Sequence, residues 1–170
     1  GWDGYDLVMP MFMAGIGPYV FSLGGYAAVD VNCDIRSQRK NVLSEFRRRD
    51  FKRIYEAGCG GATTLGVAKQ LFPQAELIGG DLSAALLKNG HFVSEMMGLG
   101  ITFRQEDAVK VAEADNSVDA VISYAVHHEM PPGVSEAMMK EMFRILAPNG
   151  EIVISDPPPF RAVNPMQAVV

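Results

Sequence analysis

The chain has 170 residues, of which 48% are hydrophobic and 21% are charged. These values are typical of a single globular domain that can bury a sizeable core. A formal net charge of −5 argues against non-specific binding of nucleic acid by the whole chain.

The N-terminal stretch of residues 7–29 contains no charged residue. Prolines and glycines interrupt it so often that we expect no transmembrane span. Its methionines and aromatic residues favour an apolar lid over a lipophilic substrate, and ordinary packing on the core is an equally good interpretation. We therefore predict an N-terminal apolar and helical extension over residues 1–50 and a core over residues 51–170.

The two cysteines, Cys33 and Cys59, form neither a metal-binding pattern nor a disulfide framework, so no metal site is predicted. No basic start leads into an apolar run with a cleavage site, so we expect no signal peptide. A reducing, cytoplasmic setting is the expected location.

A basic segment comes next, and the spacing of its apolar residues predicts a helix over residues 35–49. Its arginines and lysines can meet phosphate or an anionic membrane surface, or they can simply face solvent. The sequence leaves both interpretations open.

A strand over residues 52–57 is predicted to run into a glycine-rich loop and then into a helix over residues 62–72. Glycine permits positive φ and a close approach of the backbone to a ligand. The helix N-terminus adds free N–H groups and the positive end of a dipole. The loop is therefore predicted to bind an anionic or strongly polar ligand, and a glycine turn without a ligand is the alternative.

The order of residues in this loop narrows the choice of ligand. A dinucleotide fingerprint requires glycine at the sixth position, which is Thr63 here, and the Gly-Lys-Ser/Thr of a phosphate P-loop is absent. An acid, Glu56, instead precedes the pattern of small residues Gly58, Gly60 and Ala62.

Strands and helices alternate along the rest of the chain, which predicts an α/β fold with a doubly wound, mostly parallel sheet. Ser83 is a good N-cap for one of the helices. The further predicted strands cover residues 75–81, 101–106, 117–124 and 151–155, and the further helices run to about Met97 and over residues 132–146.

In such sheets, ligands bind at the carboxyl ends of the strands. Asp81 ends the second predicted strand, where an acid can accept both hydroxyl groups of a ribose. The third strand ends at Glu106-Asp107-Ala108, where a carboxylate can accept from an adenine amino group while the Ala108 N–H donates to a ring nitrogen. Tyr124 ends the fourth strand.

These segments resemble the class I S-adenosylmethionine-dependent methyltransferases, which have a Rossmann-like fold, over about residues 50–160. They are most similar to the subgroup related to ubiquinone and menaquinone biosynthesis. The family more often has glycine in place of Ala62, and Asn149 replaces a glycine in its last turn. The matching segments are Glu56-Ala57-Gly58-Cys59-Gly60, Gly80-Asp81-Leu82-Ser83, Glu106-Asp107-Ala108, residues 118–123, His128-Glu129-Met130-Pro131-Pro132 and residues 143–150.

The resemblance implies that the cofactor is S-adenosylmethionine. It also implies a role for each matching position in binding that cofactor. The implied residues are Glu56, Gly58, Cys59, Gly60 and Ala62 at the methionine end, Asp81 at the ribose, Leu82, Asp107 and Ala108 at the adenine, and Tyr124 on the methionine and substrate side.

We therefore expect methyl transfer to a small, hydrophobic acceptor rather than to nucleic acid or protein, and a homodimer is a possible assembly. The alternatives are a non-catalytic binding module with the cofactor fold and a nicotinamide-dependent oxidoreductase. His128 and His127 are candidates for a base, although a structural hydrogen-bonding role is the alternative for both. The family sheet continues beyond its fifth strand, so we expect the C-terminal strands to be missing from this core.

Overall fold

The computed structural model describes residues 35–156. The predicted lid over residues 7–29 lies outside the described residues, so the N-terminal extension stays a prediction. The strands are β1 (Arg53–Ala57), β2 (Glu76–Asp81), β3 (Ile101–Gln105), β4 (Val118–Tyr124) and β5 (Leu146–Ser155). The helices are α1 (Ile35–Ser44), α2 (Thr63–Leu71), α3 (Ala84–Met97), a short 3-10 helix (His127–Glu129) and α4 (Pro132–Ile145).

All neighbouring strands pair in parallel, in the order β3-β2-β1-β4-β5. This order reverses direction after β3, as in doubly wound sheets. The predicted Rossmann-like α/β fold is thereby confirmed. No helix within residues 35–156 is both long and apolar enough to cross a bilayer.

Two apolar clusters cover the two faces of the sheet. Because successive side chains of a strand point to opposite faces, Ile54 joins one cluster and its neighbour Tyr55 joins the other. The first cluster contains Leu43 of α1 and Leu65 of α2, whereas the second contains Met138 of α4. Helix α1 therefore shares a core with the sheet.

Helix α1 ends at Ser44, so the prediction of a helix up to residue 49 is wrong. The chain leaves the helix through a tighter turn, in which the Phe46 N–H donates to the Leu43 carbonyl at 3.4 Å. This turn directs Phe46 inward, where it packs edge-on against Phe51 and Phe72 with ring centroids 5.0 and 5.9 Å away. Burial of the aromatic ring therefore outweighs continuation of the helix.

The predicted turn before the fifth strand is a bulge inside β5. Val118 of β4 pairs with Leu146, whereas Ala120 pairs with Glu151, so additional residues of β5 lie between the two pairs. Asn149 has a φ of 63° within this bulge, which confirms that asparagine replaces glycine in a left-handed position. The strand therefore begins earlier than the sequence predicts.

Candidate active site

The sheet brings several predicted site residues to one edge. Glu56 of β1 pairs in register with Gly79 of β2, so β1 and β2 end side by side and the loop after β1 meets the end of β2. Asp81 ends β2, and its Oδ2 accepts a hydrogen bond from the Gly60 N–H at 2.8 Å. Tyr124 ends the neighbouring strand β4.

Left-handed residues alternate along the loop after β1. The φ angles of Gly58, Gly60 and Ala62 are 68°, 52° and 59°. A side chain at Gly58 would also collide with Val126, because an added Cβ would lie 2.6 Å from its Cγ2 atom. Position 58 therefore needs glycine for both conformation and space.

The loop has already used most of its N–H groups inside the protein. The Gly58 and Cys59 N–H groups both donate to the Gly80 carbonyl, at 2.9 and 3.0 Å. The Gly60 N–H donates to Asp81, and the Ala62 N–H donates to the Cys59 carbonyl at 2.8 Å. A pyrophosphate would need N–H groups of this kind to be free, but these groups are already hydrogen-bonded within the protein. The loop therefore does not favour a phosphate ligand.

Ala62 stays in the left-handed region although it carries a Cβ atom, which costs roughly 1–2 kcal/mol. We expect Ala62→Gly to raise the free energy of unfolding by about 0.5–1 kcal/mol, after subtraction of the larger chain entropy of unfolded glycine. Urea denaturation should show a higher midpoint with an unchanged slope.

A matched control for this substitution is Ala137→Gly, which lies on the exposed part of α4. That substitution should lower the free energy of unfolding by roughly 0.5–1 kcal/mol, because glycine is a poor helix former. Equal effects of the two substitutions would contradict strain at Ala62.

Glu56 is the buried acid of the site, with only 1% of its surface exposed. It accepts hydrogen bonds from the Thr64 side chain and from the Leu65 N–H, and so caps helix α2, whose N-cap Ala62 has no capping side chain. Its Oε2 atom has no hydrogen-bond partner within residues 35–156. Burial raises the pKa of Glu56 to about 8, even though Arg39 and the hydrogen bonds favour the charged form.

Helix α1 contributes a buried cation that the sequence analysis did not assign to the site. The Arg39 guanidinium carbon lies 4.4 Å from the centre of the Tyr124 ring, and Arg39 acts electrostatically on Glu56. The neighbouring Gln38 side chain accepts a hydrogen bond from the Tyr124 hydroxyl at 3.2 Å. Arg39 and Leu43 are spaced i, i+4 and therefore share one helix face, a signal that could have identified the arginine as buried.

The predicted ribose and adenine residues lie around the ends of β2 and β3. Asp81 also accepts a hydrogen bond from the Ser83 N–H at 2.8 Å, while Ser83 caps α3 as predicted. Leu82 is 63% exposed, so its apolar surface is available for a ring. Asp107 is exposed as well, and its Oδ1 accepts from the Val109 N–H at 3.1 Å.

Ala108 and Glu106 differ from the other residues at the end of β3. Ala108 packs against the second apolar cluster. Glu106 is held by the Tyr55 hydroxyl at 2.8 Å and by the Ala112 N–H at 2.8 Å. These contacts leave Asp107 as the carboxylate of this segment that faces solvent.

The two candidate histidines have different surroundings. His127 Nδ1 lies 2.7 Å from the Ser135 hydroxyl of α4. His128 Nδ1 lies 2.7 Å from Oδ1 of Asp156, which directly follows β5. The sequence analysis missed Asp156, although the strand-end rule that identified Asp81 applies to it equally.

The chain matches a known protein family. The methyltransferase domain family matches residues 54–150. Demethylmenaquinone methyltransferase of Thermus thermophilus is 28% identical over 127 residues, which are 74% of this chain and 56% of that protein. Sterol 24-C-methyltransferase of Yarrowia lipolytica is 31% identical over 101 residues, which are 58% of this chain and 26% of that protein. The chain thus spans about half, or less, of the length of these relatives.

Solved structures show the same fold. The cyclase SpnF superposes with a TM-score of 0.73 at 21% identity, covering 89% of this chain and 57% of that chain. Geranyl diphosphate C-methyltransferase of Streptomyces coelicolor, in complex with geranyl diphosphate and S-adenosyl-L-homocysteine, superposes with a TM-score of 0.64 at 17% identity. That alignment covers 69% of this chain and 44% of that chain. At these identities the similarity concerns the fold alone.

Proposed function

This chain belongs to the methyltransferase domain family, and we propose that it transfers a methyl group from S-adenosylmethionine to a small, hydrophobic acceptor. The observation that supports the cofactor best is the buried Glu56 carboxyl at the glycine loop. Its Oε2 has no hydrogen-bond partner within the described residues, and a buried carboxylate oxygen without a hydrogen bond is costly. The ammonium group of a methionine moiety would supply both the missing hydrogen bond and a compensating charge.

The charges around the loop distinguish this cofactor from a nicotinamide dinucleotide. The charge of Asp81 disfavours the charged form of Glu56, and the Asp81 carboxylate already accepts a hydrogen bond from the Gly60 N–H. A pyrophosphate would meet like charge and few free donors here, whereas an amino group and a pair of ribose hydroxyls would meet acceptors. The site therefore suits S-adenosylmethionine better than a dinucleotide.

In this proposal, residues at the strand ends bind different parts of the cofactor. Glu56 and the loop backbone hold the amino end, and the Arg39 cation acts electrostatically on Glu56 from helix α1. Asp81 receives the ribose hydroxyls, while Leu82 and Asp107 contact the adenine. When bound, the cofactor supplies an electrophilic methyl group, and the protein supplies orientation and exclusion of water.

A hydrophobic acceptor is the finer part of the proposal. Relatives named for demethylmenaquinone and for a sterol support it, because both names describe largely apolar molecules. The predicted apolar lid over residues 7–29 supports it too, although that segment lies outside the described residues. A quinol with a prenyl side chain is the acceptor class that we propose.

Calorimetry with S-adenosylhomocysteine and with NADH tests the cofactor. We expect binding of the first ligand alone, and Asp81→Asn should weaken it by about 1.5–3 kcal/mol, the range for a hydrogen bond to a charged group. Glu136→Gln, an exposed position on α4, is the control and should leave the affinity unchanged. Binding of NADH instead, or full affinity of the Asp81 variant, would exclude the assignment.

The acceptor is tested with the same protein. Radiolabelled S-adenosylmethionine and a demethylmenaquinol with a single prenyl unit should give a labelled, organic-soluble product. Transfer should survive a rise in salt, because apolar burial is not screened, whereas phosphate contacts weaken steeply. A product formed only with RNA would contradict the proposal.

A further inference from the structure

The Asp156 carboxylate organises the segment that follows β4. Its Oδ2 accepts from the Val126 N–H at 3.1 Å and from the His127 N–H at 2.8 Å. Its Oδ1 accepts from the His128 N–H at 3.2 Å and also contacts His128 Nδ1 at 2.7 Å. One side chain at the end of β5 thus fixes both the backbone of this segment and one imidazole.

We propose that His128 is the base that removes a proton from the methyl acceptor, and that Asp156 is the residue that positions it. The proposal rests on the proposed methyl transfer. A carboxylate can only accept hydrogen bonds, so Nδ1 of the neutral imidazole carries the hydrogen and Nε2 keeps a lone pair. The same arrangement, a carboxylate behind the imidazole of a base, is used in catalytic triads.

The surroundings of Nε2 fit this role. The His128 side chain is 41% exposed, so an acceptor can reach it. The Glu129 carboxylate lies 3.8 Å from Nε2, which is beyond hydrogen-bonding distance but close enough to stabilise an imidazolium. Within residues 35–156, Asp156 and Glu129 are the charged groups that flank this ring.

His127 does not offer these features. Its Nδ1 atom is engaged by the Ser135 hydroxyl of α4, and its Nε2 atom is buried. An acceptor outside the protein cannot reach a buried ring nitrogen. Of the two neighbouring histidines, His128 is therefore the one whose side chain is open to a molecule from outside.

The step balances as a displacement coupled to proton removal. The acceptor transfers its proton to His128 Nε2, and the electron pair released on the acceptor forms the bond to the methyl carbon. The bond between sulfur and the methyl carbon breaks with its electron pair left on sulfur, so the cofactor leaves as a neutral thioether. The exposed imidazolium then returns its proton to solvent.

The contact between His128 and Asp156 can be tested without measuring enzymatic turnover. In the full chain labelled with 15N, the imidazole nitrogens of His128 should report the neutral form protonated at Nδ1. Asp156→Asn should raise the fraction protonated at Nε2, because an amide can donate to the ring as well as accept. His91, which is exposed on α3, serves as the internal reference and should not change. A His128 ring protonated mainly at Nε2 in the unsubstituted protein would overturn the pairing.

Turnover then tests the base. With S-adenosylmethionine and the prenylated demethylmenaquinol, His128→Gln should lower kcat at least 100-fold at neutral pH, within the range for general bases. The rise in kcat between about pH 5 and 8, where histidines titrate, should disappear. Affinity for S-adenosylhomocysteine should stay within about twofold, and His91→Gln should match the unsubstituted protein.

Asp156 positions the His128 imidazole and also accepts hydrogen bonds from backbone N–H groups of the segment after β4. A double-mutant cycle separates the first of these roles from the second. Asp156→Asn should lower kcat at least 10-fold alone but have little further effect in the His128→Gln background. Additive losses, or an unchanged pH profile in His128→Gln, would overturn the proposal. If the unsubstituted protein binds S-adenosylhomocysteine but does not methylate the probe, the proposed acceptor is wrong, and the tautomer measurement decides the pairing.

Discussion

Replacement of Glu56 by glutamine is expected to reduce the affinity for S-adenosylhomocysteine at least 30-fold at pH 8. This corresponds to about 2 kcal/mol, the lower end of the cost of removing one member of a buried charge pair. The glutamine amide keeps the size of the side chain and can still accept from Thr64 and Leu65. It cannot compensate an ammonium charge, so binding should fall while the fold is retained.

The same substitution weakens binding but should make the folded protein more stable at high pH. The pKa of Glu56 is about 8 in the folded protein against an ordinary value of 4.5, so the folded state binds this proton more tightly than the unfolded state. The contribution of this group to stability is therefore complete below pH 4.5 and is lost as the pH rises to about 8. Glu56→Gln should abolish that loss and gain stability relative to the unsubstituted protein over this range.

Calorimetry in buffers of different ionisation enthalpy gives a third measurement. Between pH 6 and 8, binding of an ammonium group should release the proton of Glu56, and the glutamine variant should release none. Glu76→Gln, at the opposite end of the sheet, is the matched control, because Glu76 forms an exposed ion pair with Arg53. Unchanged affinity in the Glu56 variant would remove the main support for the proposed cofactor.

The strand-end rule explains which site residues the sequence could predict. Glu56, Asp81, Asp107 and Tyr124 were selected because they follow buried apolar runs, and parallel strands bring such positions to one edge. The rule was applied only as far as Ser155, so the next residue, Asp156, was missed.

Long-range contacts could not be predicted in the same way. Arg39 belongs to a segment rich in arginine and lysine, and only tertiary packing decides which cation turns inward. Its spacing from Leu43 was the available signal. The end of α1 at Ser44 likewise depends on Phe51 and Phe72, which are distant in sequence from the helix.

The backbone conformation of the glycine-rich loop could not be predicted from the sequence either. The sequence indicates only that Ala62 is small, whereas its φ of 59° places an alanine in a strained, left-handed conformation. By contrast, Ser83 was predicted correctly as a cap because the signal is local, with the side chain and the Leu86 N–H one turn apart. A local hydrogen bond of this kind is readable from sequence, whereas the left-handed φ of an alanine is not.

A buried acid outside the proposed active site, Glu113, holds the connection between β3 and β4 against the sheet. The Glu113 side chain is 2% exposed and forms ion pairs with Arg53 of β1, at 2.8 Å, and with Arg104 of β3. The Ser117 hydroxyl donates a further hydrogen bond to it at 3.2 Å. Glu113 therefore ties two strands that are not neighbours in the sheet.

Glu113→Ala is expected to lower the free energy of unfolding by about 3 kcal/mol, because breaking a buried ion pair leaves uncompensated charge. The lower end of the known range applies, since both arginine side chains are about 30% exposed and can turn toward water. Glu136→Ala is the control, because Glu136 pairs with Lys140 at 2.7 Å on the surface of α4. It should cost less than about 1 kcal/mol. Urea denaturation measures both, and similar losses would show that burial adds nothing to the Glu113 contacts.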